Sequence, residues 1–481
     1  MVNSGPDLRI TYQVPPGAPY MTLSHTWGTA EFIKLTKSTS QSLQYGFQST
    51  DLPKTFRDAI AITRRFGVKY LWIDSLCILQ DCAEDWLHEA AQMGEIYYNS
   101  LCNVAATGAS NSDQGCFFDR DTSLISPCIV KSEWNNKSNH DYHIIEAFFW
   151  TEQVSNAPLN RRGWVVQERL LSPRVLHFGG DQLLWECHEF DACETYPLGL
   201  PRFPAGPDYL FKGLDPETDG HRLRKASNNE PDPELNAYHL WVKIVQAYTS
   251  SDLSKPEDKL IAISGIAKRF RSMLNDTYLA GLWSRLLPTQ LLWFVRDAKQ
   301  ANGFPAKRPP FYRAPSWSWA SVDGEVSAGT VSYDGILITV TSTKITPVTD
   351  DETGQVEDGN IVLRGKLFPA GLYRHATIDE LQLRVNAKEL GLGCSIYPDV
   401  EPDDISAALV CLPIIEYMVD QEPWIWGLIL EADQLGKGFY KRFGMFTAHG
   451  SESCDIFKDS TFDEDMSGLY ADGDTHELYL I

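Results

Sequence analysis

An α/β front part built on a parallel sheet, carrying helical insertions and followed by a β-rich C-terminal part, is the fold class this sequence predicts. Two patterns point to it. Over the first hundred residues apolar runs of strand length alternate with segments of helical period, and from Gly329 onward short β-type runs separated by acidic turns take over. The length adds a third observation: at roughly 100–200 residues per domain, 481 residues make either one large domain or, as the pattern favours, two or three.

The elements follow in order. Tyr20 to Gly28 reads as a strand of apolar and β-preferring residues closed by glycine. Pro53 stands at a first helical position, Phe56, Ala59, Ile60, Thr63 and Phe66 recur at helical spacing, and Gly67 ends the helix. Tyr70 to Asp74 is a continuous apolar run ending in a carboxylate, as in a buried parallel strand. Asp81 caps a second helix with Trp86, Glu89, Ala90 and Met93 on one face, and Leu101 to Thr107 supplies a third strand. This β-α-β-α-β order predicts parallel strands with right-handed crossovers and a ligand beyond their carboxyl ends, where His25, Thr26, Trp27, Asp74 and Ser75 project.

Farther along, Trp164 to Leu171 is expected to be helical, and Val175 to Phe178 pairs with Gln182 to Cys187 across Gly179-Gly180. Residues 201–235 read as a surface excursion rich in Pro, Gly, Asp and Asn. Tyr238 to Tyr248 and Lys259 to Leu287 read as helices; the strand-like runs are Ile336 to Val340, Ile361 to Arg364, Ala408 to Cys411 and Trp424 to Leu430. The expected division is an α/β core over 1–200, an excursion and helical extension over 201–328, and a β-rich region over 329–481.

Charge and hydropathy narrow the function. Sixty-four acidic against 42 basic residues give a formal charge of −22, which repels phosphate backbones and argues against nucleic-acid binding. No run reaches the roughly 20 apolar residues of a membrane span, and the N-terminus lacks the pattern of a secretory signal. The ten cysteines are scattered without a C-x-x-C pair, so no metal site is expected and reduced, packed thiols in the cytoplasm are. Gly179-Gly180 is not a phosphate-cradling loop, and there is neither an H-E-x-x-H helix nor a G-x-S-x-G elbow. Asp463-Glu464-Asp465 reads as a solvated acidic loop, and the Trp317 and Trp319 pair as an anchor of the C-terminal part against the front domain.

Several blocks together resemble the fungal heterokaryon-incompatibility (HET) domain. They are Leu23-Ser24-His25-Thr26-Trp27-Gly28, Leu52-Pro53-Lys54-Thr55-Phe56-Arg57-Asp58-Ala59-Ile60, Tyr70 through Asp81, Asp85-Trp86 with Glu89, Met93, Ile96 and Tyr97, and Arg162 through Arg174. One departure is His25, where the family more often has Cys or Arg. The resemblance implies non-self recognition and induced cell death, and a front domain likened to the flavodoxin-like TIR module, some members of which hydrolyse NAD.

Trp86-Leu87-His88-Glu89 is similar to the Trp-x-x-Glu around the catalytic glutamate of TIR-type NADases, which makes Glu89 the first catalytic candidate. A carboxylate there stabilises an oxocarbenium-like ribose without a metal or cofactor, NAD being the substrate; otherwise Glu89 is a helix-packing residue. Asp74 either orients a ligand hydroxyl or accepts backbone N–H groups of its own turn. His25 joins it as a catalytic candidate. Ser24, Trp27, Arg162, Trp164 and Gln167 are the candidate ligand contacts: His25 and Trp27 either meet an aromatic ring or pack in the core, and Arg161-Arg162 either meet a diphosphate or pair with Glu168 or Glu186. Two other functions stay open beside signalling with NAD hydrolysis: a HET-like enzyme of secondary metabolism acting on a small aromatic or polycyclic substrate, and a non-catalytic signalling scaffold. The expected partners are a small molecule, a partner protein or a second copy of the chain.

Overall fold

A computed structural model describes the whole chain except residues 6–7, 30, 133–139, 202–211, 213–232, 297–305, 328–331, 375–380, 403–407, 459–470 and 473–474. Two compact units divide it, Met1–Glu230 and Pro231–Ile481. The acidic run 463–465 and nearly all of the excursion 201–235 lie outside the described residues. No helix among the described residues is long and apolar enough to cross a membrane.

The first unit is an eight-stranded mixed sheet with helices. In chain order its elements are β1 (Val2–Asn3), β2 (Arg9–Ile10), β3 (Tyr20–Ser24), α1 (Ser40–Tyr45), α2 (Lys54–Arg65), β4 (Tyr70–Trp72), α3 (Asp74–Cys77), α4 (Ala83–Tyr98), β5 (Cys102–Ala105), a separate hairpin of β6 (Cys128–Ser132) and β7 (His140–Ile144), α5 (Gly163–Leu171), β8 (Arg174–Phe178), β9 (Leu183–Cys187) and β10 (Asp191–Cys193). The sheet order is β10-β9-β8-β5-β3-β4-β1-β2. β3 runs parallel to both β4 and β5, and β5 parallel to β8. Since β4 and β5 flank β3 on opposite sides, the chain reverses its direction of travel across the sheet at β3. That is the topological switch point at which α/β sheets open a crevice beyond the strand ends.

Period-two alternation divides the sheet into two faces. Met21 and Leu23 of β3, Leu71 of β4, and Cys102 and Val104 of β5 join one core with Phe56, Ala59 and Ile60 of α2. Burial of each large side chain here is worth about 1.5–3 kcal/mol. Pro53 caps α2, and Gly67, at φ 71°, follows its end in a left-handed conformation that costs glycine least. The other face presents Thr22, Ser24 and Asn103 beneath α4 and α5. There Trp72 meets Tyr97 of α4, ring centroids 5.6 Å apart, while Val165 of α5 packs on Ala105 and Val175.

Three of the first-unit boundaries that differ from the sequence pattern bear on the site. β3 ends at Ser24 and β4 at Trp72, so His25 to Gly28 lie in the connection that follows β3 and Asp74 opens α3. Asp81 does not cap α4. Cys82 holds the N-cap position, and both Asp81 oxygens accept from the Lys37 N–H at 3.0 Å.

The second unit opens with α6 (Pro233–Thr249) and α7 (Ser264–Leu274) and short strands β11 (Tyr278–Leu279), β12 (Leu282–Trp283), β13 (Phe294–Val295) and β14 (Val326–Ser327). The continuous helix expected from Lys259 to Leu287 is interrupted. Asn275, at φ 47°, closes α7 left-handed, and the β11–β12 hairpin follows through Ala280 and Gly281. Gly281 has φ 104°, and a Cβ there would meet the Trp319 indole at 2.6 Å. Its carbonyl accepts from both Trp241 Nε1 (3.0 Å) and Trp319 Nε1 (2.9 Å).

The rest is an eleven-stranded, almost wholly antiparallel sheet: β15 (Thr339–Pro347), β16 (Val356–Gly365), β17 (Phe368–Arg374), β18 (Leu381–Val385), β19 (Lys388–Glu389), β20 (Cys394–Pro398), β21 (Leu409–Val419), β22 (Glu422–Ala432), β23 (Phe439–His449), β24 (Ala471–Asp472) and β25 (Thr475–Leu480). The expected strand at Ile336 begins only at Thr339, Ile361 to Arg364 and Trp424 to Leu430 lie inside longer strands, and Ala408 to Cys411 reaches only the first three residues of β21. Phe368, Leu383, Ile425, Ile429 and Phe446 centre its core. Arg442 lies buried over the Trp293 ring at 3.7 Å and pairs with the buried Asp399, which Arg308 also reaches at 2.9 Å. Trp317 and Trp319 are buried among second-unit residues: Trp317 O accepts from Trp293 Nε1 at 2.8 Å, and Trp319 packs edge-on to Tyr248.

Candidate functional site

The polar face of the front sheet builds a connected buried network. Thr22 and Ser24 point the same way from β3, and Thr22 registers with Asn103 on β5. Thr22 Oγ1 donates to Asn103 Oδ1 (3.1 Å), Asn103 Nδ2 donates to Ser24 Oγ (2.9 Å), and Ser24 donates to Glu168 of α5. Tyr97 completes it from α4 by donating to Leu23 O at 3.3 Å. Burial pushes the Glu168 carboxyl up to about 7, against the lowering hydrogen bond of Ser24 and the charge of Arg162. A carboxyl near neutrality beneath a hydroxyl can hold or release a proton at physiological pH.

Beside this network, the connections after β3 and β4 converge on Asp74. Its Oδ1 accepts from the Ser75 N–H (2.6 Å) and its Oδ2 from Trp27 Nε1 (3.0 Å). The turn role expected of Asp74 is therefore present, and a side-chain donor from the neighbouring strand end adds to it. His25 Nδ1 stands 3.8 Å from Asp74 Oδ1, beyond hydrogen-bond reach. Burial lowers the imidazole to about 4, so the ring is neutral at pH 7 and the contact is not an ion pair. His25 is 2% exposed and sits edge-on to Phe56 at 4.9 Å. Trp27 is stacked with His25 at 6.4 Å and has Lys34 Nζ 4.8 Å from its ring centre. Arg162, at the N-cap of α5, donates to the His25 carbonyl, while Arg161 donates to Asn156 O at 3.0 Å. Neither arginine takes the ion pair considered for Glu186; Arg169 does.

Glu89 lies on α4, half-buried, and makes no hydrogen bond or ion pair among the described residues. Burial, then Asp85, raises its pKa. One turn before it, Trp86 meets Trp164 of α5 edge-to-face at 6.2 Å, so the two tryptophans join the helices. Trp164 is the one α5 residue that is not buried; Gln167 is fully buried on that helix. Ser24, His25, Trp27, Asp74 and Arg162 are thus brought together in one chain of contacts, and Trp86, Glu89 and Trp164 mark a second locus along α4 and α5.

A further buried cluster joins α5 to the strands beyond it. Arg169 forks onto Glu186 at 2.7 and 2.8 Å, and His177 Nε2 approaches Glu186 Oε2 at 3.3 Å. Because a carboxylate only accepts, Nε2 carries the proton and Nδ1 accepts from Thr107 Oγ1 at 2.9 Å. Arg169 and His177 hold Glu186 well below the usual carboxylate range. Lys212 Nζ reaches the carbonyls of Arg169, Leu170 and Ser172 at the end of this helix. An open apolar cavity of about 360 Å³, lined by Leu176, Leu184, Trp185 and Phe190 among others, lies at this end of the sheet.

Glu168, Asn103, Thr22 and Tyr97 were not singled out as site residues from sequence. One signal was readable for Asn103: an amide in the middle of an apolar strand must find a buried partner. Among the described residues, no group of three or more His, Cys, Asp or Glu is arranged to hold a metal ion. Comparison with known proteins gives one match: residues 20–168 fit the family described as heterokaryon incompatibility protein (HET). No curated protein and no solved structure matches the chain.

Proposed function

We propose that this chain, which carries a HET domain over residues 20–168, acts in heterokaryon incompatibility or cell death, and that its front unit does so by TIR-like hydrolysis of NAD. The observation that carries the proposal is Glu89: a half-buried carboxylate with no hydrogen bond or ion pair among the described residues, one turn from the Trp86 and Trp164 pair. Leaving a carboxylate in such surroundings costs stability, which a structural role does not repay. The strand order supports the fold-level part. Counting the parallel strands along the chain, β4-β3-β5-β8 is second, first, third, fourth, the flavodoxin-like order with its switch point at the first strand.

In this reading the N-glycosidic bond breaks with its electron pair passing to the pyridinium nitrogen, which leaves as neutral nicotinamide. Glu89 stabilises the positive charge that develops on the ribose ring. Water adds to the anomeric carbon and releases one proton. Asp74, held by Trp27 and Ser75, lies near the strand ends, where it would orient a ribose hydroxyl.

The test is incubation of the full chain with NAD and chromatography of released nicotinamide. Glu89→Gln is expected to lose turnover by about 100-fold or more while retaining the wild-type circular dichroism. Absence of turnover at high protein concentration, in both monomeric and assembled form, would sink the hydrolase and leave partner-induced assembly as the signalling event. Full activity in Glu89→Gln would remove Glu89 from the chemistry.

A further inference from the structure

The hairpin of β21 and β22 carries an aromatic surface that the core of the second unit does not absorb. Register fixes which side chains share a face: Tyr417 pairs with Trp424, Trp424 with His449 of β23, and Glu422 and Trp426 stand two residues to either side of Trp424. Ile425 and Ile429, which alternate with them, turn the other way into the core. Tyr417, Trp424 and Trp426 are half-buried, and His449 and Glu422 are exposed. The rings converge on Tyr417. Its centre lies 6.4 Å from Trp424 at 19° and 6.0 Å from Trp426 at 66°, so two rings share an orientation and the third is turned across them. His449 stacks on the Trp424 ring at 4.8 Å and 21°.

The charge beside these rings is of one sign. Residues 409–432 hold Glu416, Asp420, Glu422 and Glu431 and neither Lys nor Arg. Glu416 alternates to the opposite face, Asp420 sits in the tight turn at φ 49°, and Glu431 is in register with Lys441 farther along the sheet. Glu422 stays on the aromatic face, where it makes no hydrogen bond or ion pair among the described residues; its Oε2 stands 3.9 Å from the point at which a Gly450 side chain would begin, next to His449. Cross-strand ring pairs stabilise a sheet by themselves, but that role does not call for an unpaired carboxylate at their side. An aromatic face attracts positive charge, tryptophan most strongly, and the carboxylate prefers the same sign. We infer that Tyr417, Trp424, Trp426 and Glu422 bind a small organic cation of the quaternary ammonium class. Such an ion has no N–H to leave unsatisfied against the rings, which offer it π-faces in two orientations. The site belongs wholly to the second unit and is independent of the NAD hydrolysis proposed for the front one.

The test uses the full chain with choline as the probe, titrated at pH 8 and constant ionic strength and followed by saturation transfer to its trimethyl protons. The uncharged isostere 3,3-dimethylbutan-1-ol, which has carbon in place of the nitrogen, is titrated in parallel. Choline is expected to bind more tightly than the alcohol by about tenfold or more. Trp424→Leu is expected to weaken choline by a similar factor, and Glu422→Gln to weaken it several-fold while leaving the alcohol unchanged. Should Trp424→Leu fail to fold, Trp424→Phe keeps an aromatic ring in the same place and is expected to weaken choline more than the alcohol. Glu422 is exposed, so its substitution tests the charge without touching the core. Equal affinity for choline and the alcohol would make the surface an apolar patch and overturn the proposal. Choline binding that neither the Trp424 nor the Glu422 substitution alters would overturn it as well, as would the absence of choline binding.

Discussion

Between about pH 4 and pH 7, two buried groups at the end of β3 pull stability in opposite directions. Glu168 titrates at about 7 in the folded chain against an ordinary 4.5, so the native state holds the extra proton and this group costs stability as pH rises from about 4.5 to about 7. His25 titrates at about 4 against an ordinary 6.5, so the native state refuses a proton the unfolded chain accepts, and stability falls as pH drops through that window. Substitution separates them. Relative to wild type, Glu168→Gln is expected to gain roughly 2–3 kcal/mol as pH rises across its window, and His25→Gln a similar amount as pH falls across its own. Urea denaturation over this range checks both, and parallel curves for variant and wild type would contradict the assignment.

At the scale of elements, α5 organises the front unit. It supplies Arg162 to the His25 carbonyl, Glu168 to Ser24 and Arg169 to Glu186, and Lys212 closes its last carbonyls. Removing Arg169 alone strands the buried Glu186 without its counter-charge. Arg169→Met is therefore expected to cost about 3–5 kcal/mol, and the double variant Arg169→Met with Glu186→Gln markedly less, because no uncompensated carboxylate remains. Denaturant midpoints of the single and double variants measure this. Elements whose period was unbroken were legible beforehand: α2, with Phe56, Ala59 and Ile60 on one face and Gly67 beyond its end, lies where its pattern says. The stretch after Lys259 was not, since its apolar residues continue past Leu274 while Asn275 and Gly281 turn the backbone left-handed. Propensity alone does not mark that break, because Asn275 is an ordinary polar residue until its conformation is known.

At the scale of the molecule, a formal charge of −22 makes electrostatic self-repulsion a standing cost. Raising monovalent salt from low ionic strength to a few tenths molar is expected to raise the midpoint of thermal unfolding, as the excess acidic charges are screened over a Debye length of about 10 Å or less. A midpoint that falls with salt would mean that paired charges, such as Lys268 with Asp351 at 2.8 Å, outweigh the repulsion.

The amino-acid sequence by itself determined the alternation of strand and helix in the front part, the parallel pairing of its strands, the β-rich character of the C-terminal half and the match of residues 20–168 to a known family. Each depends on local period or on residue identities at short spacing, which a chain carries without folding. The tertiary structure decided the rest. It brought Glu168 under Ser24 across 144 residues of chain, made His25 a neutral core group, gave Glu186 to Arg169 instead of Arg161 or Arg162, and buried Trp317 and Trp319 within the second unit. Hydrogen bonds, charge pairs and desolvation depend on distances through space and on exclusion of water, and neither exists until the elements have packed.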